Sequence, residues 1–341
     1  MSKKVVTLGG IVLRLSAPNY KRFIQADSFN VAYGGGEANV SISLANFGLE
    51  VYYVTKLPHN LLGDAALAHL KRFGVKTDYI VRDEGRLGVY FLEMGAGQRP
   101  SRVIDDRAHS TIAKARVGDF DWDEIFKDAE WFHFTGLTPM LSDTAAELTL
   151  EAVKKARKDK IKVSCDLNYR KGLWNRKKTN KVIVQLMEYV DVLLGNEEEA
   201  ERVFDIKAPK SNVVTGKLSE EGYRFVVEEL IRRFNFELAT ITLRESYSAS
   251  DNGWSAVACD GKNFYTSSKY RIHIVDRVGG GDAFTGGLIF SLVSGKQIKE
   301  ALEFAVAASC LKHTIPGDVN IVSADEVRFL QEGNRSGRIQ R

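Results

Sequence analysis

Cysteine is scarce. There are three, Cys165, Cys259 and Cys310, odd in number, far apart and never in a CxxC pair. That argues against a disulfide framework or a thiolate zinc site, and fits a reducing, cytoplasmic setting. An excess of one charge is missing too: 48 Lys plus Arg against 44 Asp plus Glu gives a formal +4. This is too near balance for nucleic acid or an acidic membrane to be the main partner. No apolar run approaches the roughly 18 residues of a membrane span. Lys3-Lys4 and the apolar run to Leu13 imitate a signal peptide, but Gly9-Gly10 and Arg14 interrupt the pattern and no small-residue cleavage site follows. A buried first strand is the better reading. No GxxxxGK[ST] exists, because Gly216-Lys217, Gly261-Lys262 and Gly295-Lys296 are each followed by other residue types. Nor is there a complete GxGxxG, since Asn39 stands where the third glycine should follow Gly34 and Gly36. None of the six histidines forms HExxH, which disfavours a zincin. There is no Pro/Ser linker, repeat or low-complexity tract, and the basic, polar tail at 333–341 reads as a frayed end.

What is present is a rhythm. With 44% apolar and 27% charged residues the chain can bury a core. Strand-like and helix-like segments alternate: 4–9 and 37–47, 51–57 and 64–73, 131–135 and 143–158, 162–167 and 178–187, 190–194 and 197–204. The last units are helix 220–233 before strand 238–243, and strand 271–275 before helix 283–293. Such alternation predicts a mostly parallel sheet with helices on both faces. Two segments, about 13–33 and 86–107, read as strands without helices between them. They predict a small second sheet, a lid over one edge of a single domain spanning 1–341. Tyr52, Tyr53, Trp131, Phe132 and Phe134 read as core, as do His133 and His273 with satisfied ring nitrogens; the role of His313 stays open.

Four segments carry chemistry. Gly279-Gly280-Gly281-Asp282 follows a strand and opens an apolar helix, where bare N–H groups and the helix dipole favour an anion. Asp282 there reads either as a base accepting a proton from an attacking hydroxyl or as an ordinary helix cap. Gly34-Gly35-Gly36 with Asn39 reads as backbone against which a polyhydroxylated substrate lies, or as a tight turn. Asp166, Asn168 and Arg170 sit at a strand's carboxyl end, where open α/β sheets bind ligands, or else cap their own strand. Asn196 and Glu199, three apart, could organise water around Mg2+; otherwise residues 197–199 are surface charge complementing a helix dipole.

The order of these segments resembles the ribokinase-like sugar kinases, the phosphofructokinase-B family. The early Gly34-Gly35…Asn39, the Asn196-x-x-Glu199 pair and the D-x-x-G-[AG]-G-D-x-F run from Asp276 to Phe284 match that family's motifs across nearly the whole chain. Within it the chain looks most like the branch acting on 2-keto-3-deoxygluconate, on residues 166–170 with Leu173-Trp174, on 88–93 and on 242–246. The resemblance implies a three-layer α/β/α domain with a β lid. It also implies ATP-dependent phosphorylation of the sugar acid's terminal hydroxyl, with Mg2+, and leaves a monovalent cation and lid-mediated self-association open. By the same resemblance Asp282 is the base and Gly279, Gly280 and Gly281 form the anion hole. Gly34, Gly35, Asn39, Tyr90, Arg107 and Arg170 contact the sugar. Asn168, Arg170, Asn196, Thr242, Arg244, Ser248, Gly279 and Gly281 contact the nucleotide. Arg107 and Arg170 suit a carboxylate chemically, because a guanidinium grips it bidentately.

The sequence departs from the family at three places: Gly10 where relatives often carry Glu, Gly280 where Ala is frequent, and Asp105 where a Tyr is usual. Gly280 is expected to be harmless, and Asp105 to turn outward and pair with Arg102 or Arg107. A sibling kinase acting on a neutral ketose or another sugar acid stays open, as does a sugar-binding regulator on the same fold, though the intact glycine-to-Asp282 run argues against the regulator. A Rossmann-type dehydrogenase is disfavoured by the missing fingerprint.

Overall fold

Apolar side chains that alternate along each inner strand dictate three layers. Val6 packs on one face of the sheet and Val5 on the other; Phe132 and Phe134 share the first face while Trp131 takes the second. The computed structural model describes residues 3–170, 176–209 and 220–334. Leu173-Trp174, Gly216-Lys217 and the tail from 335 lie outside the described residues.

The chain begins with β1 (Lys4–Leu8), then places β2 (Val12–Ser16) and β3 (Asn30–Gly34) in the lid before α1 (Gly36–Asn46), β4 (Glu50–Pro58), α2 (Leu61–Arg72) and β5 (Ile80–Asp83). It returns to the lid with β6 (Gly88–Glu93) and β7 (Arg102–Asp106). The main layer resumes with α3 (Trp122–Phe126), β8 (Ala129–Thr135), α4 (Asp143–Lys158), β9 (Lys162–Asp166), α5 (Arg176–Met187), β10 (Val192–Asn196), α6 (Glu197–Phe204), α7 (Glu220–Phe234) and β11 (Leu238–Ser246). It closes with β12 (Asp251–Cys259), β13 (Phe264–Thr266), β14 (Tyr270–His273), α8 (Gly280–Val293), α9 (Ile298–Lys312) and α10 (Ala324–Gln331).

The main sheet runs β13-β12-β11-β10-β9-β8-β1-β4-β5, parallel from β11 to β5. The expected parallel sheet and the lid, ordered β3-β2-β6-β7, are both present. The first strand is buried inside the sheet, between β8 and β4, as read. The end of the sheet differs from expectation: β12 lies antiparallel on β11, and β14 pairs antiparallel with β12 instead of extending the parallel ladder. Because β4 lies on one side of β1 and β8 on the other, the strand order reverses there, which opens a crevice beyond the strand ends. Among the described residues no helix is long and apolar enough to cross a membrane.

Candidate active site

A cavity of about 380 Å³ occupies that crevice. The ends of β9, β10 and β11, the first turns of α1 and α8, and the lid wall it.

Both glycine runs shape it. Gly279 adopts φ +82°, a conformation L side chains rarely take, and a Cβ there would overlap the carbonyl oxygen of Asp318. Gly281 faces open space. No side chain caps the first turn of α8, so its dipole and backbone face the cavity. Gly280 is more than harmless: a Cβ there would strike the ring of His313. That ring, buried against Trp254, engages the Ser309 carbonyl through Nδ1 at 2.7 Å. Burial lowers its pKa to about 4, so it stays neutral. The open role of His313 is thus packing beneath the glycine turn.

Asp282 is the third residue of α8 and does not cap it. It is buried, and its Oδ2 accepts from Asn39 Nδ2 at 2.6 Å. Burial pushes its pKa up to about 7; the Asn39 hydrogen bond and Arg170 pull the other way, while Asp166 adds to the rise. Asn39 Oδ1 has no partner and belongs to a residue lining the cavity.

At the end of β9, Asp166 Oδ1 accepts from the N–H of Asn168 at 3.1 Å. Asn196 and Glu199 form a reciprocal cap on α6: Asn196 Oδ1 accepts from Glu199 N, and Glu199 Oε2 from Asn196 N, both at 3.0 Å. Glu199 Oε1 also accepts from Tyr169 N at 3.0 Å. Surface charge therefore misdescribes this segment: Glu197 and Glu199 are buried and only Glu198 is exposed. Burial first, then repulsion from Asp166, holds Glu199 well above the carboxylate range; burial likewise raises Asp166. Among the described residues no group of three or more His, Cys, Asp or Glu is placed to hold a metal directly. Asp166, Glu199 and the partnerless Oδ1 of Asn168 nevertheless line the cavity with hard oxygens, a set that suits Mg2+ through its waters.

On the lid side, Tyr90 donates its hydroxyl to Asp318 Oδ2 at 2.6 Å. Asp105 does not turn outward. The expected pairing with Arg107 is present, with Asp105 accepting from Nε at 2.7 Å, but the pair lines the cavity. Arg170 lies exposed at the cavity rim.

Most of the expected site residues converge on this cavity, Thr242 and Arg244 among them. Gly34, Gly280 and Ser248 do not line it. Gly34 makes room for the Asp318 carboxylate. Ser248 sits in the β11–β12 turn, where its Oγ accepts from Ser250 N and Asp251 N at 3.0 Å. Two histidine expectations need correcting. His273 is exposed on the edge strand β14 and pairs with Asp251, and His133 is fully buried but its Nε2 has no partner. Sequence reasoning missed Asp318 and Arg14 and gave no role to Asp276, the first residue of the late motif; the fold brings the three together from distant positions.

An acid poised near neutrality beside an uncapped helix start is the pairing that phosphoryl transfer to an alcohol needs, and the class is a small-molecule kinase. Residues 2–324 match the pfkB family of carbohydrate kinases, and the chain belongs to that family. It is 51% identical to the 2-dehydro-3-deoxygluconokinase of Thermotoga maritima, whose structure superposes with a TM-score of 0.93 over 98% of this chain and 99% of that one. A 2-dehydro-3-deoxygalactonokinase of Haloferax volcanii is 31% identical over 99% of both chains. A ribokinase-like protein from E. coli, solved with ATP and Mg2+, shares the fold at 20% identity and a TM-score of 0.80, covering 97% of this chain and 99% of that one.

Proposed function

We propose that this sugar kinase transfers the γ-phosphoryl group of ATP to the terminal hydroxyl of 2-keto-3-deoxygluconate, giving 2-keto-3-deoxy-6-phosphogluconate and ADP. The observation that carries the reading is Asp282, buried at the cavity floor beside the uncapped start of α8, with a pKa near 7. Asp282 accepts the hydroxyl proton; the hydroxyl oxygen bonds to the γ-phosphorus as the bond to the β-phosphate oxygen breaks. The negative charge on the transferring group meets the backbone of residues 279–281 and the α8 dipole. Asn196 and Glu199, with Asp166 and Asn168 nearby, would hold Mg2+ through water, and the ion would supply charge neutralisation at the phosphates. Asn39 places Asp282 and offers its free Oδ1 to a substrate hydroxyl.

Two features support a sugar acid. Arg107 spends Nε on Asp105, leaving its terminal nitrogens for a carboxylate, and Arg170 stands at the rim. The 51% identity to the Thermotoga maritima kinase points the same way. The Haloferax volcanii relative supports a second reading, the C4 epimer 2-keto-3-deoxygalactonate. The lid face opposite the cavity carries Val31 and Ile104, 61% and 55% exposed beside Leu15 and Phe91. This supports pairing of two copies through the lid, which light scattering on the purified protein tests.

An ADP-release assay over both sugar acids, fructose and ribose tests the substrate. A charge-assisted grip of about 1.5–3 kcal/mol corresponds to a preference for the acids of roughly 10–100-fold in kcat/KM. A preference for fructose or ribose would refute the assignment.

A further inference from the structure

Four charges are buried behind the anion hole. Arg14, on lid strand β2, donates Nη1 to Asp318 at 2.5 Å and Nη2 to Asp276 at 2.6 Å. Lys312, the last residue of α9, is fully buried, and its Nζ donates to the main-chain carbonyls of Asp276 at 3.3 Å and Ile315 at 3.2 Å. Two cations and two carboxylates sum to zero, as buried charge requires. The cluster holds the loop that becomes the anion hole. Asp276 accepts from Val278 N at 3.1 Å and Gly317 N at 3.0 Å, and Lys312 Cε lies 3.2 Å from where a Cβ on Gly279 would stand.

A compact ammonium held by backbone carbonyl oxygens has the charge and donor set of a bound potassium or ammonium ion. A monovalent metal ion behind this loop would need the same carbonyls, and here a tethered cation holds two of them. The residues do not fit a free ion at this place. We infer that Lys312 is a positioning residue: it supplies a tethered positive charge behind the anion hole and frees the enzyme from any monovalent-cation requirement there. Burial and, to a smaller extent, Arg14 lower its pKa, while Asp276, Asp318 and Asp282 act to keep it charged, and it terminates α9 where the dipole favours a cation. The inference rests on reading residues 279–281 as the anion hole.

The test compares wild type, Lys312→Ala and Lys312→Arg in KCl, NH4Cl, NaCl and choline chloride at equal ionic strength. ADP release and thermal unfolding are both read. Wild type is expected to turn over equally, within about twofold, in all four salts, with equal melting temperatures. Lys312→Ala should lose roughly 10–100-fold in kcat, less than the 10²–10³ of a direct donor, at little cost in sugar KM. K+ or NH4+, but not choline, should restore part of that loss and raise the variant's melting temperature. Lys312→Arg should retain most activity. Stimulation of wild type several-fold by K+ over choline would overturn the inference, and so would normal kcat in Lys312→Ala. Unfolding responses to salt read the cation site without turnover, so a failure of the sugar assignment stays distinguishable from a failure here.

Discussion

Two helices of this protein open on glycines and carry a buried acid in the first turn, yet the acids live differently. In α1 the acid is Glu37, whose Oε1 accepts from Thr135 N at 3.0 Å and from the hydroxyls of Thr135 and Thr138, each at 2.7 Å. In α8 the acid is Asp282, with Asn39 as its hydrogen-bond partner. Burial raises the pKa of both, but three donors hold Glu37 in place as a bolt between α1 and the end of β8, whereas Asp282 faces the cavity. The same local grammar thus yields a structural acid and a reactive one. What decides between them is how many donors the neighbouring elements supply.

Asp282→Asn gives the largest expected effect. A general base contributes roughly 10²–10⁴-fold, so turnover should collapse while ATP affinity, read by calorimetry, stays nearly unchanged. The variant should also be the more stable protein above neutrality. The folded pKa of about 7 lies above the unfolded value near 3.9. The favourable contribution is therefore complete below pH ~4 and lost as pH rises through ~7. Melting curves at pH 8 and pH 4 should show the stability gap between variant and wild type closing as pH falls. Wild-type turnover would leave Asp282 no more than a packing residue.

Gly281→Ala separates the anion hole from the fold. Nothing lies within 4 Å of the added methyl, so the melting temperature should hold, while kcat falls by up to roughly 10²–10³ because the methyl stands where a phosphate approaches the backbone. Unchanged kcat would place the phosphate elsewhere.

Glu37 should behave in the opposite sense. Glu37→Ala strands the Thr135 N–H and two hydroxyls, at about 1–3 kcal/mol for each buried donor left unpaired, and urea unfolding should register the loss. Glu37→Gln, which keeps an acceptor, should turn over within a few-fold of wild type. A collapse of turnover in a stable Glu37→Gln protein would end the distinction between the two acids.

The smallest effect concerns the lid. Asp105→Asn removes the charge paired with Arg107 Nε in the cavity wall, so KM for the sugar acid should stay level or drop by up to roughly fivefold, about 1 kcal/mol. A large rise in KM would make Asp105 itself a substrate contact.

Much of this was legible in the sequence. The helices at 143–158 and 197–204 have the expected bounds because a 3.6-residue period and a capping Ser142 or Asn196 mark them. The lid strands were legible as strand patterns without intervening helices. The antiparallel end was not: β12 carries Asp251, Asn252, Gly253 and Ser255, residue types that blur a strand pattern. Arg14 meets Asp276 and Asp318 across 262 and 304 residues, a distance at which no local spacing can signal contact. Asp105 pairs with Arg107 as expected, but its orientation was misread: a solvated carboxylate was expected to avoid the cavity, whereas the ion pair itself stands in the wall.

The most direct test is the pH dependence of kcat/KM, which reports the free enzyme's groups, for 2-keto-3-deoxygluconate in wild type and in the residual activity of Asp282→Asn. With Asp282 as base at a pKa near 7, wild-type kcat/KM should fall about tenfold per pH unit on the acid side of that value, and the limb should vanish in the variant. The same acid limb in both proteins would assign it to another group, such as Asp166 or Glu199, and contradict the account.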